Sequence, residues 1–272
     1  MARGMTNVLR SNGQRPMDGP PTPTGVRFEH HDVALGVGES RPRISWDYEV
    51  VDPAFAQTAV EFLITRDSAP DATTYRIGGS ERVLVDWPAP PPASRGRAFV
   101  SVRVVVAAGR GSAWSGGTGL GGGLLHRTDW RAVPVSQSSP HTGSLPLVRR
   151  SFNVSKPVRR ARIYATAHGV YSLELNGTRV GDSVLSPGWQ SYSHRLAYQT
   201  YDITSSIVVG PNAIGAALGD GWYRGRLGFL EQRAIYGDEI SLIAQLELTY
   251  VDGEVDIIPT NDSWEWTPGP IT

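Results

Sequence analysis

The chain has 272 residues, with 26 basic and 26 acidic side chains and no net charge. That balance disfavours nucleic acid or an anionic membrane as a partner, and the absence of cysteine excludes disulfides, thiolate metal sites and cysteine nucleophiles. A 40% hydrophobic content suffices for an ordinary core, while 20 prolines and 31 glycines point to many turns and hence to β-structure.

Residues 1–23 are polar and rich in Gly and Pro, and close on Gly19-Pro20-Pro21-Thr22-Pro23. Such a composition predicts a flexible leader. It holds no apolar run able to form a signal-peptide core, so a soluble cytoplasmic protein is expected, with secretion left open if the true N-terminus differs. No stretch of the chain approaches the roughly 20 apolar residues of a membrane helix. Residues 43–49 alternate, with Ile44, Trp46 and Tyr48 on one face, and predict a half-buried strand. Residues 59–65 and 99–106 predict two more, the latter rich in β-branched side chains. Short strands between Pro- and Gly-bearing turns describe an immunoglobulin- or fibronectin-like sandwich over 24–127. Within it the run 116–123, six of whose eight residues are glycine, predicts a loose connection.

A linker is expected at 128–144, then a second β-rich block over 145–272. Residues 161–167 and 170–175 predict strands, Asn176-Gly177 a two-residue hairpin turn, and 178–180 the return strand. Strands are also expected at 212–218, 240–251 and 263–266, and at most one short helical turn at 203–208. A jelly-roll-like sandwich of carbohydrate-binding type is the expected form. That fold needs about eight strands, so its closing strands would lie beyond Thr272. The fold class is therefore all-β, two sandwiches in tandem.

Two motifs carry chemistry. In Leu218-Gly219-Asp220-Gly221-Trp222-Tyr223-Arg224-Gly225-Arg226, glycines around an aromatic pair suit a tight turn whose backbone approaches something closely. Trp222 or Tyr223 can stack on a sugar's apolar face while Asp220, Arg224 and Arg226 bond its hydroxyls, provided these groups converge on one concave site. The structural alternative is a buried Trp222 with Asp220 and the arginines paired to brace the loop. Pro187-Gly188-Trp189-Gln190-Ser191-Tyr192 is the second motif, with Trp189 and Tyr192 as a stacking platform and Gln190 as hydrogen-bonding partner, or all three as a cap on the sandwich. Neighbours on a strand point to opposite faces, so neither His30-His31 as chelators nor Asp238-Glu239 as a carboxylate pair is expected to act jointly. No catalytic residue is assigned. Asn-X-Ser/Thr triplets at Asn153, Asn176 and Asn261 are read as chance.

Two stretches resemble a known family. The first is 25–31, 34–39 and 41–46, ending in Arg41-Pro42-Arg43-Ile44-Ser45-Trp46; it is similar to the opening of bacterial and fungal α-L-rhamnosidases. The second runs from Tyr171 through Leu175-Asn176-Gly177, Leu185-Ser186-Pro187-Gly188-Trp189 and the motif at 218–228 to Ile235-Tyr236-Gly237-Asp238, and resembles the N-terminal domain of the same enzymes. The resemblance implies hydrolysis of terminal α-L-rhamnose with inversion, by two carboxyl groups set apart by a water-sized gap. It places them on a helical toroid C-terminal to this region, so this chain alone is expected to be inactive. Related sugar-binding modules use calcium, for which Asp182, Asp202, Asp220 and Asp238 are candidates; they are scattered, so no cofactor is assigned and calcium stays open. The expected role is accessory: holding a rhamnose-containing glycoside, or supporting the catalytic domain as partner. The alternatives are a scaffold without sugar affinity and a complete small hydrolase.

Overall fold

The structure is a computed structural model that describes residues 19–49, 55–137 and 144–271. Residues 1–18 of the expected leader and 138–143 of the expected linker lie outside the described residues. The chain divides into two compact units whose sequences interleave. One comprises Met1–Ala34, Arg41–Pro92 and Gly96–Leu120; the other Leu35–Ser40, Ala93–Arg95 and Gly121–Thr272.

In chain order the strands are β1 (Thr24–Phe28), β2 (Leu35–Val37), β3 (Ile44–Asp47), β4 (Gln57–Arg66), β5 (Ala69–Gly78), β6 (Arg97–Val106) and β7 (Thr118–Gly122). They continue as β8 (Pro146–Val154), β9 (Val158–His168), β10 (Val170–Leu175), β11 (Thr178–Arg179), β12 (Gln199–Asp202) and β13 (Gly210–Gly219). A one-turn helix, α1 (Gly221–Arg224), precedes β14 (Arg226–Leu227), β15 (Gln232–Arg233), β16 (Ser241–Tyr250), β17 (Val255–Pro259) and β18 (Glu265–Pro268).

In the first unit β4 and β6 pair antiparallel, Val60 opposite Val104, Phe62 opposite Val102 and Ile64 opposite Val100. Period-two alternation places all six on one face, and all six are buried. β1 pairs with β3 and adds Phe28, Ile44 and Trp46 to this core; Trp46 meets Phe62 edge-on at 5.9 Å. β5 was invisible to pattern reading because it is an edge strand with Pro70 in it and mostly exposed side chains. The expectation of a loose connection at 116–123 is corrected: 118–122 form β7, with Leu120, Gly121 and Gly122 buried. Glycine is demanded by packing there, since a Cβ on Gly123 would fall 2.2 Å from the Tyr198 hydroxyl.

The second unit is a β-sandwich of two sheets, ordered β11-β10-β13-β8-β18 and β12-β9-β16-β17. Val148, Leu173, Leu175 and Ile214 from one sheet meet Ile163, Leu242 and Leu246 from the other in one core. The β10–β11 hairpin turns on Asn176 and Gly177 at φ 51° and 78°, the pair of left-handed residues that a two-residue turn needs. β9 and β16 are buried on both faces. Their outer face carries Arg162, Tyr164, Gln245 and Glu247, and two chain segments are hydrogen-bonded across it. The Arg95 Nε donates to Glu247 at 2.8 Å and its Nη1 to Asp129 Oδ1 at 2.8 Å. Gln245 Nε2 donates to Asp129 O at 2.9 Å, and the Arg131 N–H donates to Gln245 Oε1 at 2.7 Å. Residues 128–137, expected as linker, thus belong to this unit's hydrogen-bond network.

Asp129 is the acid-sensitive joint of that network. Burial pushes its carboxyl up, but hydrogen bonds from the Ser94 hydroxyl and the His126 N–H, with the Arg95 guanidinium, outweigh burial and hold it at about 2 against an ordinary 3.8. A carboxyl depressed in the folded state stabilises fully above its unfolded pKa and loses that contribution as pH falls through the folded value. Urea midpoints should therefore drop between about pH 4 and about pH 2, by about 2 kcal/mol for this group. Asp129→Asn should remove that slope and lower stability at neutral pH; an unchanged acid limb in the variant would contradict the assignment.

Candidate functional site

Both sequence motifs lie at the same end of the second unit. β13 runs into α1 through Gly221, at φ 50°, where a Cβ would meet Val170 Cγ1 at 2.7 Å. That turn projects Trp222 and Tyr223, and the loop at 187–192 projects Trp189 and Tyr192. The four rings meet in pairs: Trp189 lies parallel to Trp222 at 6.3 Å and 11°, and Tyr192 meets Tyr223 edge-on at 5.0 Å. Two rings that sequence reading passed over complete the cluster. His168, at the end of β9, stacks on Tyr223 at 4.8 Å; Tyr236 packs on Tyr192 at 5.0 Å and accepts a hydrogen bond from Trp189 Nε1 at 3.2 Å. The signal for Tyr236 was the glycine beside it: a Cβ on Gly237 would lie 2.1 Å from the Tyr223 hydroxyl, so the backbone must pass bare against that ring.

The polar candidates are engaged with one another or with backbone. Arg224 is buried, donates from Nε to Asp220 Oδ1 at 2.6 Å, and reaches Asp238 O at 3.4 Å. The other Asp220 oxygen accepts from Arg233 at 3.2 Å. Arg226 pairs with Glu231 at 2.8 Å in the open. Gln190 donates to Pro187 O and accepts from the Ala197 N–H, at 2.8 and 2.9 Å. Burial pushes the Tyr192 and Tyr223 hydroxyls up, and holds His168 below its ordinary value, so it is a neutral ring at physiological pH. Beside these exposed charges the loops present apolar side chains to solvent: Trp189 is 59% exposed, Phe229 108% and Leu230 84%.

The four aspartates weighed for calcium do not converge. Asp220 is committed to the two arginines, Asp202 accepts from the Thr204 N–H and hydroxyl, and among the described residues no group of three or more His, Asp or Glu is placed to hold a metal ion.

The two kinds of ion pair make opposite predictions. Asp220→Asn removes the carboxylate that meets the buried Arg224 Nε and should cost about 3 kcal/mol, in the range seen when one member of a buried pair is removed. Arg226→Ala breaks an exposed pair and should cost well under about 1 kcal/mol. Urea unfolding of both variants checks this; equal costs would mean that the Asp220 pair braces nothing.

Comparison with known proteins now bears on these two units. Residues 23–126 match the model of the Rha78A-like N-terminal immunoglobulin domain, and 156–272 that of the alpha-L-rhamnosidase N-terminal domain. An alpha-L-rhamnosidase of Formosa agariphila is 30% identical over 256 residues, covering 87% of this chain but 27% of its own length. One from an Alteromonas species is 33% identical, covering 87% and 28%. In the crystal structure of the Aspergillus terreus enzyme, 40% identical, the superposition has a TM-score of 0.86 and covers 92% of this chain and 30% of that one. The chain thus spans less than a third of the length of these relatives.

Proposed function

The chain carries the N-terminal immunoglobulin-like domain and the N-terminal domain of the α-L-rhamnosidase family, and from that premise we propose that it acts as an accessory region supporting the catalytic part of such an enzyme. One observation carries the reading. On the loops of the aromatic cluster Asp220, Arg224, Arg226 and Gln190 are engaged with other charged side chains or with backbone, while Trp189, Phe229 and Leu230 stand open to solvent. Recognition of sugar hydroxyls needs free convergent polar groups; an exposed apolar surface instead marks a site of contact with protein. The tip of the β14–β15 hairpin, with Phe229 and Leu230, is the part best placed to be covered. Hydrolysis of rhamnosides belongs to the whole enzyme in this reading, and a rhamnose-containing glycoside is its substrate rather than a ligand of the aromatic cluster.

A chimera tests this directly. With this chain in place of the matched N-terminal part of the A. terreus enzyme, Phe229→Ser combined with Leu230→Ser should lower the melting temperature by about 3 °C or more, since roughly 1 kcal/mol shifts a domain of this size by that amount. The same pair in the isolated chain should change it little, because both side chains are already in water. A chimera indifferent to the substitutions sinks the proposal.

A second reading has one observation in its favour: the outward face of Trp189, parallel to Trp222, offers a stacking platform for a sugar ring. Titration with L-rhamnose under tryptophan fluorescence separates the two. A saturable change that disappears in Trp189→Ala would favour sugar contact, and a flat response at tens of millimolar would favour the supporting role.

A further inference from the structure

A groove of about 760 Å³ lies in the second unit over the outer face of the β9–β16 pair, within the size range of small-ligand sites. Its floor is a cross-strand pair, Thr166 opposite Ile243. One wall is the segment with His126 and Arg127; the facing wall is the loop with His194 and Arg195. No carboxylate is among its lining residues. The nearest acid in sequence, Asp129, is turned to Arg95 and Ser94. Neither Arg127 nor Arg195 has a carboxylate partner among the described residues, whereas Arg95, which lies over the same face, is paired with Asp129 and Glu247. In a chain without net charge, two unneutralised guanidiniums on opposite walls of one groove make a local positive field that favours an anion.

The walls are held in place. The Tyr198 hydroxyl accepts from the Leu124 N–H at 2.7 Å and so ties one wall to the other. Thr166 donates to Ala197 O at 2.8 Å, and the loop carrying His194 and Arg195 is closed on Ser191 O by their N–H groups at 2.7 and 3.0 Å. Trp130 is fixed edge-on against Tyr198 at 5.2 Å and presents a half-buried ring to the groove. Tyr192 also lines it, its hydroxyl buried and without a hydrogen-bond partner among the described residues. A fixed aromatic surface between two cationic walls suits a ligand with an apolar face and a negative group, which a neutral sugar does not supply.

We propose that this groove binds an acidic saccharide unit, one bearing a carboxylate or a sulfate, with Arg127 and Arg195 clasping the anionic group and Trp130 meeting the ring. The anionic half rests on the groove's charge alone; the saccharide half rests also on the family membership. It is a site separate from the aromatic cluster, and it stands or falls independently of the Phe229 and Leu230 surface.

Calorimetric titration of the purified chain decides it, with D-glucuronate and glucose 6-sulfate as anionic probes, glucose and L-rhamnose as neutral ones, and inorganic sulfate as the bare anion. Either or both anionic sugars should bind at least about tenfold more tightly than glucose, and affinity should fall as salt is raised, because the contacts are charged and solvent-accessible. Arg127→Gln with Arg195→Gln should cost about tenfold or more, Arg127→Lys with Arg195→Lys should retain much of the binding, and Trp189→Ala should change nothing. Both arginines are exposed, so a matching melting temperature verifies that the variants fold. No binding by any acidic sugar, equal binding of neutral and acidic sugars, or indifference to the double glutamine variant overturns the proposal. Inorganic sulfate binding as well as the sugar acids do overturns its saccharide half.

Discussion

Glu247 sits on the central strand of the second sheet with its side chain 7% exposed, and a carboxylate in that position is tolerable only if a cation meets it in good geometry. Arg95 supplies the cation, and it does so from a three-residue excursion of the chain, Ala93–Arg95, that belongs to this unit although the sequence on either side belongs to the other. Its backbone adopts φ 65° to make the approach, a left-handed conformation that costs a side-chain-bearing residue about 1 kcal/mol. The pair brings Asp129 with it, and Asp129 in turn receives the Ser94 hydroxyl and the His126 N–H. Remove Arg95 and two carboxylates, together with the Asp129 carbonyl, lose their common partner at once.

The groove leans on that arrangement. The outer face of β9 and β16 is polar and buried, so it cannot be left bare; the segments laid over it become the wall that carries His126, Arg127 and Trp130. Tyr198 joins that wall to the loop opposite through the Leu124 backbone. The glycines at 121–123 permit the close lay-down, Gly123 because the Tyr198 hydroxyl and the Gly36 carbonyl occupy the space a Cβ would take. A feature that looks like slack in the sequence is therefore a place with no room for a side chain.

How much of this was legible beforehand depended on whether burial left a period in the sequence. β3, β4, β6, β9, β10, β13 and β16 announce themselves because one or both faces enter a core, and Asn176-Gly177 because only a left-handed pair closes a two-residue turn. β5 and β8 do not: β5 is an edge strand, and β8 interleaves Arg149, Arg150, Ser151 and Asn153 with its buried Val148 and Val154. The glycine run misled for a different reason, since composition alone cannot distinguish a residue that is free to move from one that has no room for a side chain. In the candidate site the two motifs were found but their polar roles were not, because sequence spacing does not reveal that Asp220 and Arg224 face each other at i and i+4 on a single helical turn. Tyr236 and His168 come from distant strands and loops, and only the fold brings them to the same cluster.

The way charge is distributed explains why the two surfaces should be read differently. Around the aromatic cluster the arginines have their acids: Arg224 and Arg233 share Asp220, and Arg226 takes Glu231. Desolvating that surface costs little beyond the pairs already made, and its gain is apolar, so association there should persist in salt. Across the β9–β16 groove the guanidiniums of Arg127 and Arg195 remain hydrated and unneutralised, and covering them with apolar protein would strand two charges at a cost of several kcal/mol each. Only a ligand that brings its own negative charge makes burial of that groove favourable. In the proposed reading one end of the sandwich meets protein and the outer face of its second sheet an anion, and the difference between them is where the acids lie: beside the arginines at the first, absent from the lining of the second.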